Sequence, residues 1–309
     1  MTQKSISLRA WAELLLLGGI WGASFLSNAV ILREVGFVSV VAFRVTGAAL
    51  ILWAYVLLRR LALPRDPLVW AAFVFSGALN TALPFALITW GQTHIPSGLA
   101  SILNCSTAVF GVLVAALVFA DERLTRRKLA GIGLGFAGAV TVIGPDAVRG
   151  LDLTALAQLA LIGAALCYAF GSAFNRARLS GLAPQVAAAG MLSGSMLVIL
   201  PLALLHDGLP TMNYAGVTWI AIAYLSIVAT ALAYLLYYRV LVMAGSGNVL
   251  LVTLLVAPVA ILLGAVFLGE ALPLRAYAGF ALLAAGLVVI DGRILNRRRA
   301  AGGMPPPVQ

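Results

Sequence analysis

Apolar residues run along this chain in long unbroken stretches and do not alternate with polar ones. A helix of about 20 apolar residues spans a hydrocarbon core of about 30 Å. Ten such stretches can be marked, at roughly 11–32, 36–58, 68–91, 98–120, 129–145, 154–174, 184–205, 217–238, 248–268 and 276–294. Unbroken runs predict helices, because a membrane barrel would show a period of two. The links between runs are short. Lys4 and Arg9 precede the first run, but it is too long for a signal-peptide core and lacks an Ala-x-Ala cleavage site, so it reads as a first span. Only the tail at 296–309, with RRRAAGGMPPPVQ, is left over; its composition predicts disorder.

Composition supports the membrane reading. The chain is 62% hydrophobic and 10% charged, whereas a soluble domain carries about 25% charged residues. The formal charge of +10 would suit a nucleic-acid binder, but its distribution fits topology better. With the N-terminus cytoplasmic and ten spans, the inner side holds Lys4, Arg9, Arg59, Arg60, Arg65, Arg123, Arg126, Arg127, Lys128, Arg176, Arg178, Arg239, Arg293, Arg297, Arg298 and Arg299, and the outer side only Arg33, Arg149 and Arg275. Sixteen against three is the positive-inside asymmetry. The basicity orients the chain and attracts anionic lipid; no nucleic-acid partner is implied. Cys105 and Cys167 lie within spans, form no ligand or disulfide pattern, and read as small packing residues. With 18 Arg, 2 Lys and abundant Ala and Gly, the composition points to a GC-rich prokaryote. The expected location is therefore the plasma (inner) membrane, multi-pass, with both termini cytoplasmic.

The chain also repeats itself. FADERLTRRKLAG at 119–131 recurs as FLGEALPLRAYAG at 267–279, and 11 of 26 positions are identical between 119–144 and 267–292. Upstream, Thr81-Ala-Leu pairs with Thr230-Ala-Leu and Ser97-Gly with Ser246-Gly. Each half then holds five spans, and an odd number forces the second half in upside down. That explains why the loop at 121–128 is basic and its copy at 269–276 is not. The predicted fold is all-α integral membrane, ten transmembrane helices as two inverted five-helix repeats: 1–149, 150–295 and the cytoplasmic tail 296–309. Inverted repeats are the architecture of secondary transporters, with a site near the midplane.

The run ATALAYLLYYRVLVMAGSGNVLLVTLLVAPVAILLGAVFLGEALPLRAYAGFALLAAGLVVI, with FRVTGAALIL and SGLASIL in the first half, resembles the drug/metabolite transporter superfamily, specifically ten-span EamA-type exporters. The resemblance covers residues 10–294, with Phe110 standing where the second half has Pro258. It implies a small-molecule exporter, no cofactor, and a monomer or homodimer in the bilayer. It leaves the substrate open, since the superfamily includes exporters of amino acids, drugs and metabolites and carriers of nucleotide sugars.

Polar residues in membrane helices face the bundle interior or a cavity. Candidate substrate-binding residues fall on shared helix faces: Trp21, Ser24 and Asn28 on span 1; Asn80 and Thr81 on span 3; Ser101 and Asn104 on span 4; Tyr168, Ser172 and Asn175 on span 6; Thr230 and Tyr234 on span 8. The plain alternative for each is an interhelical hydrogen bond worth about 1 kcal/mol or less. Spans 5 and 10, nearly pure Gly/Ala/Leu/Val, read as scaffold. Tyr237, Tyr238, Trp11 and Trp90 read as interfacial belt residues. Arg44 is the one basic residue inside a span. It can receive a substrate carboxylate, or sit on backbone carbonyls or a span-end acid such as Glu13. The family resemblance, with an Arg at a similar place across differing substrates, supports the structural role. Pro84 and Pro258 are candidate hinges, and Gly18-x-x-x-Gly22 and Gly131-x-x-x-Gly135 permit close helix approach.

The leading expectation is export of small amphipathic metabolites, amino acids first among them, including aromatic or hydrophobic ones, by alternating access. A multidrug exporter of aromatic cations should carry a mid-span acid, and none is present. A phosphorylated-metabolite carrier should show several cavity cations, and only Arg44 qualifies. An intramembrane enzyme needs a paired nucleophile and base or clustered metal ligands. His94 and His206 lie far apart, and no HExxH or Gly-x-Ser-Gly motif occurs.

Overall fold

The computed structural model describes residues 8–120, 124–144, 152–211, 213–244 and 252–291. Among these residues there is no strand and there are ten helical segments. They are α1 (Leu8–Ile31), α2 (Phe37–Leu58), α3 (Pro67–Gln92), α4 (Ser97–Val118), α5 (Arg126–Ile143), α6 (Leu153–Arg178), α7 (Pro184–His206), α8 (Gly216–Met243), α9 (Val252–Leu268) and α10 (Leu274–Asp291). Each falls on one of the predicted apolar runs. Seven are long and apolar enough to cross a membrane; α9 and α10 are shorter apolar helices, and α5 opens on Arg126, Arg127 and Lys128. The tail 296–309 and the residues Glu122 and Ser246 of the repeat lie outside the described residues.

Local chemistry sets several helix ends. Asp66 Oδ1 accepts from Leu68 N at 2.8 Å, Thr125 Oγ1 from Lys128 N at 3.2 Å, and Asp152 Oδ1 from Ala155 N at 2.7 Å. Each side chain satisfies a first-turn amide that has no intrahelical partner, worth about 1 kcal/mol. At the far end of α5, Gly144 takes φ 77°, a left-handed value that a Cβ would penalise.

Two helices widen into π-helical turns, α3 at Ala78–Ala82 and α8 at Tyr224–Leu232. Thr81 and Thr230, paired by the sequence repeat, sit one in each. In α3 the widening has a local cause. Pro84 follows at the second position of the next turn, has no N–H for the carbonyl four residues back, and its ring crowds that carbonyl. Leu83 N instead reaches Ala78 O, five residues back, as a π turn allows. In α9, Pro258 leaves the helix continuous from Val252 to Leu268.

The most extensive helix contacts come in matched pairs. α2 packs on α7 and α5 on α10; α1 meets α9 as α6 meets α4; α3 meets α6 as α8 meets α1; α3 meets α7 as α8 meets α2. Shifting every label by five maps this set onto itself. Glycine permits the tightest of these approaches. A Cβ on Gly138 of α5 would lie 2.7 Å from both Gly279 O and Leu283 N of α10, and one on Gly22 of α1 would lie 2.6 Å from Val259 Cβ of α9. Such close backbone approach is how helices associate where lipid removes the hydrophobic drive between them.

Candidate functional site

The π segment of α8 and the facing surfaces of α1, α2, α3 and α6 bring one polar group into the middle of an otherwise apolar bundle. Arg44 of α2 keeps only 8% of its surface exposed. Its Nε donates to Thr230 Oγ1 of α8 at 2.9 Å. Its guanidinium carbon lies 3.8 Å from the centroid of the Phe85 ring of α3. The phenol groups of Tyr168 on α6 and of Tyr234 and Tyr224 on α8 lie within electrostatic range of its charge. Phe85 and Tyr168 meet edge to face, with centroids 6.4 Å apart.

An aromatic line leads away from this group along α8. Tyr234 stacks on Tyr238 at 6.4 Å, Tyr238 meets Tyr237 edge to face at 5.4 Å, and Tyr237 lies 5.9 Å from Trp21 of α1. Trp21 Nε1 in turn donates to Ala229 O, inside the π segment, at 3.2 Å. The sequence placed Tyr237 and Tyr238 in a headgroup belt. Both are partly buried and take part in this line of rings.

The terminal nitrogens of Arg44 have no protein acceptor among the described residues, and they are absent from the sealed buried atoms that lack a partner. They therefore border accessible space. The expected structural partners of Arg44, backbone carbonyls or Glu13, are not its partners here. Glu13 Oε1 instead accepts from Arg9 Nε at 3.3 Å and from Arg239 Nη2, at the end of the bundle where α1 begins and α8 finishes.

The remaining sequence candidates divide by what they bond. Thr81 Oγ1 donates to Gly77 O at 2.7 Å, Ser101 Oγ to Gly98 O at 2.7 Å, and Ser24 Oγ to Trp21 O at 2.6 Å, all within their own helices. Asn80 and Asn175 meet through Ser76: Asn80 Nδ2 donates to Ser76 O at 3.2 Å, and Ser76 Oγ to Asn175 Oδ1 at 2.6 Å. This network ties α3 to α6, and Gly171 makes room for it, since a Cβ there would lie 2.3 Å from Asn80 Nδ2. Asn28 Nδ2 donates to Gln92 Oε1 at 2.9 Å and Gln92 Nε2 to Phe25 O at 2.9 Å, joining α1 to α3. The Oδ1 atoms of Asn28 and Asn104 are buried without a partner, which costs about 1–3 kcal/mol each unless something supplies a donor. Asn104 closes the first part of α4, which turns at Cys105 before resuming at Ser106. Ser172 is exposed, makes no hydrogen bond among the described residues, and does not join the Arg44 group.

Every carboxylate whose side chain is described sits at a helix end. Asp207 Oδ2 accepts from Ser39 N at 2.7 Å, Glu34 Oε2 from Ala215 N at 3.0 Å, and Glu270 from Ser97 N at 2.7 Å, Ser97 Oγ at 2.8 Å and Gly98 N at 3.0 Å. These three occupy one end of the bundle and each joins a half of the chain to the other. Burial alone would raise the Asp207 carboxyl, but His206 and the Ser39 amide more than offset it and hold it below the ordinary range. Among the described residues no three His, Cys, Asp or Glu side chains gather as a metal site. Two concavities lie elsewhere, on the flanks of the bundle. One of ≈ 680 Å³ is lined by α2, α3 and α7 and includes Trp53, Trp70 and Leu197; one of ≈ 490 Å³ is lined by apolar residues including Phe75, Cys167 and Phe170. Neither holds a charged group, so neither competes with Arg44 as a recognition site.

Phe85 and Tyr224 belong to the Arg44 surroundings but were not singled out as binding residues in the sequence. Phe85 carries no polar signal; its only clue is its position four residues after Thr81 and four before Thr89.

Comparison with known proteins shows the family of the chain. The family model described as EamA-like transporter family matches residues 10–144 and again 155–291. A "probable terminal-alkyne amino-acid exporter" of Streptantibioticus cattleyicolor is 31% identical over 225 residues, 73% of this chain and 74% of that protein. A "probable amino-acid metabolite efflux pump" of Salmonella typhimurium is 29% identical over 298 residues, covering 92% of this chain and 95% of its own, and one of Escherichia coli is 27% identical over 281 residues, covering 87% and 90%. A solved crystal structure, 20% identical, covers 95% of this chain and 100% of its own at TM-score 0.67, which shows a shared fold. The chain belongs to the EamA-like transporter family and is a multi-pass membrane protein, a small-molecule exporter and not an enzyme.

Proposed function

We propose that the protein is a secondary transporter that exports amino acids, including aromatic and hydrophobic ones, across the plasma (inner) membrane by alternating access. In this reading residues 1–149 and 150–295 form two five-helix repeats of opposite orientation, both termini are cytoplasmic, and the solute passes through a central cavity at their seam. The reading is supported by the five-step symmetry of the helix contacts, by the matched π segments at Thr81 and Thr230, and by the charge asymmetry of the loops. Relatives named as amino-acid exporters support the substrate class.

The observation that carries the proposal is Arg44. Its surroundings draw on both halves, α2 and α3 from the first and α6 and α8 from the second. A polar centre shared between halves changes its surroundings whenever the halves rock against each other, which is what a transport site must do. The rings of Phe85, Tyr168, Tyr234 and Trp21 give an apolar side chain a wall. Thr230 joins this group directly, while Asn28, Asn80, Asn104, Asn175, Thr81, Ser24 and Ser101 brace the helices around it; Pro84 and Pro258 are the proposed hinges. Export of aromatic cations fits less well, because a fixed positive charge repels them and no described carboxylate balances it. The test is counterflow in proteoliposomes. Saturable accumulation of labelled phenylalanine or leucine against a matching internal load is expected; absence of saturable flux for every amino acid offered would refute the proposal.

A further inference from the structure

We propose that Arg44 is a carboxylate receptor and that the protein selects its solutes by their carboxylate, without reading their ammonium group. This rests on the transport reading above and narrows it. Consider how the guanidinium is used. Its Nε edge is taken by Thr230 Oγ1 at 2.9 Å, and a face is covered by the Phe85 ring at 3.8 Å. What stays open is the end formed by the two terminal nitrogens, which have no acceptor among the described residues and border accessible space. That end presents two parallel N–H groups, the fork that a carboxylate grips with both oxygens.

Charge balance points the same way. A cation inside a membrane bundle costs several kcal/mol unless it is paired. A hydroxyl and aromatic faces return part of that but supply no negative charge. Each described carboxylate side chain is committed at a helix end: Glu13 to Arg9 and Arg239, Glu34 to Ala215 N, Asp66 and Asp152 as N-caps, Asp207 to Ser39 N and His206, Glu270 to Ser97 and Gly98. Among the described residues no carboxylate pairs with Arg44, and on this proposal the anion arrives with the solute. The same inventory places no described carboxylate beside Arg44 to pair with a solute ammonium, so on this proposal that group contributes little to recognition. The surrounding rings of Phe85, Tyr168 and Tyr234 favour an aromatic or branched apolar tail.

The test is competition against labelled phenylalanine in reconstituted counterflow, using solutes that share one ring and differ in their charged groups. 3-Phenylpropionate, which lacks the ammonium, should compete within a few-fold of phenylalanine. Phenethylamine and phenylalanine amide, which lack the carboxylate, should compete at least about tenfold less well, as loss of a buried charge-assisted fork implies. Phenethylamine competing as well as phenylalanine would overturn the carboxylate proposal while leaving amino-acid export standing. Should no solute drive counterflow, the export reading falls, and the receptor is judged by binding alone. 3-Phenylpropionate should raise the melting temperature of the detergent-solubilised wild type and not that of R44Q, with R44K recovering part of the shift. Equal shifts from 3-phenylpropionate and phenethylamine in the wild type would overturn the receptor whether or not R44Q folds.

Discussion

The α5–α10 contact makes a sharp prediction, because it leaves no room for a methyl group at Gly138. Gly138→Ala adds a Cβ that would lie 2.7 Å from Gly279 O and from Leu283 N. Both are backbone atoms, so no rotamer relieves the clash, and ordinary contact begins near 3.4 Å. The helices must separate by about 0.7 Å, a gap that forfeits roughly a quarter to a half of each dispersion contact nearby. Overpacking of this kind costs about 1–3 kcal/mol, of which helix propensity returns up to about 1 kcal/mol. At about 2 °C per kcal/mol for a chain of this size, detergent-solubilised G138A should melt a few degrees below the wild type. The matched control is Gly133→Ala on the same helix, where an added Cβ meets nothing within 4 Å; it should melt at or slightly above the wild type. Equal melting of the two variants would refute the claim that α5 and α10 are held by backbone-to-backbone packing.

Three further outcomes are expected from the site and its supports. Thr230→Val removes the acceptor of Arg44 Nε while keeping the shape, and a buried charged donor left unpaired costs about 1.5–3 kcal/mol. Both solute affinity and melting temperature should fall, with Thr230→Ser retaining most of each; an unaltered Thr230→Val would contradict the geometry at Arg44. Because Asp207 is held below its ordinary pKa of 3.8, its contribution is present above that value and is lost as pH falls through the lower folded value. Melting should therefore show an Asp207-dependent loss only in acid below that value, a loss that Asp207→Asn abolishes; an Asp207-dependent loss already at pH 6 would show the direction to be wrong. Pro258→Ala should change the turnover rate more than the yield of folded protein, and the reverse pattern would remove its hinge role.

How much of this was legible in the sequence differs by level. The helices were, because a bilayer makes length and apolarity decisive, and each described helix sits on a predicted run. The α5–α10 pairing was half-legible through the matched glycines Gly131, Gly138, Gly279 and Gly286. Arg44 was visible as an isolated charge, but its partners were not, since Thr230 lies 186 positions away and nothing in a helical face reveals what crosses the seam. Glu13 was one offered partner for Arg44, and its actual partner Arg239, 226 positions away, was invisible for the same reason. On α8, Thr230 and Tyr234 were legible as one face and both meet Arg44, but Tyr237 and Tyr238 were read from their place near a span end, which says nothing of the rings that pack against them. Ser172 shared a nominal face with Tyr168 yet is exposed, because α6 is covered by α3 and α4 over only part of its circumference.

The claim on which the rest depends is that the two halves cross the membrane in opposite senses, and sidedness tests it directly. Single cysteines placed at Arg126, which opens α5, and at Pro273, before α10, should react with a membrane-impermeant maleimide from opposite sides in intact cells. Pro273→Cys should label from outside without permeabilisation and Arg126→Cys only after it. Labelling of both from the same side would contradict the inverted arrangement and remove the shared seam at Arg44.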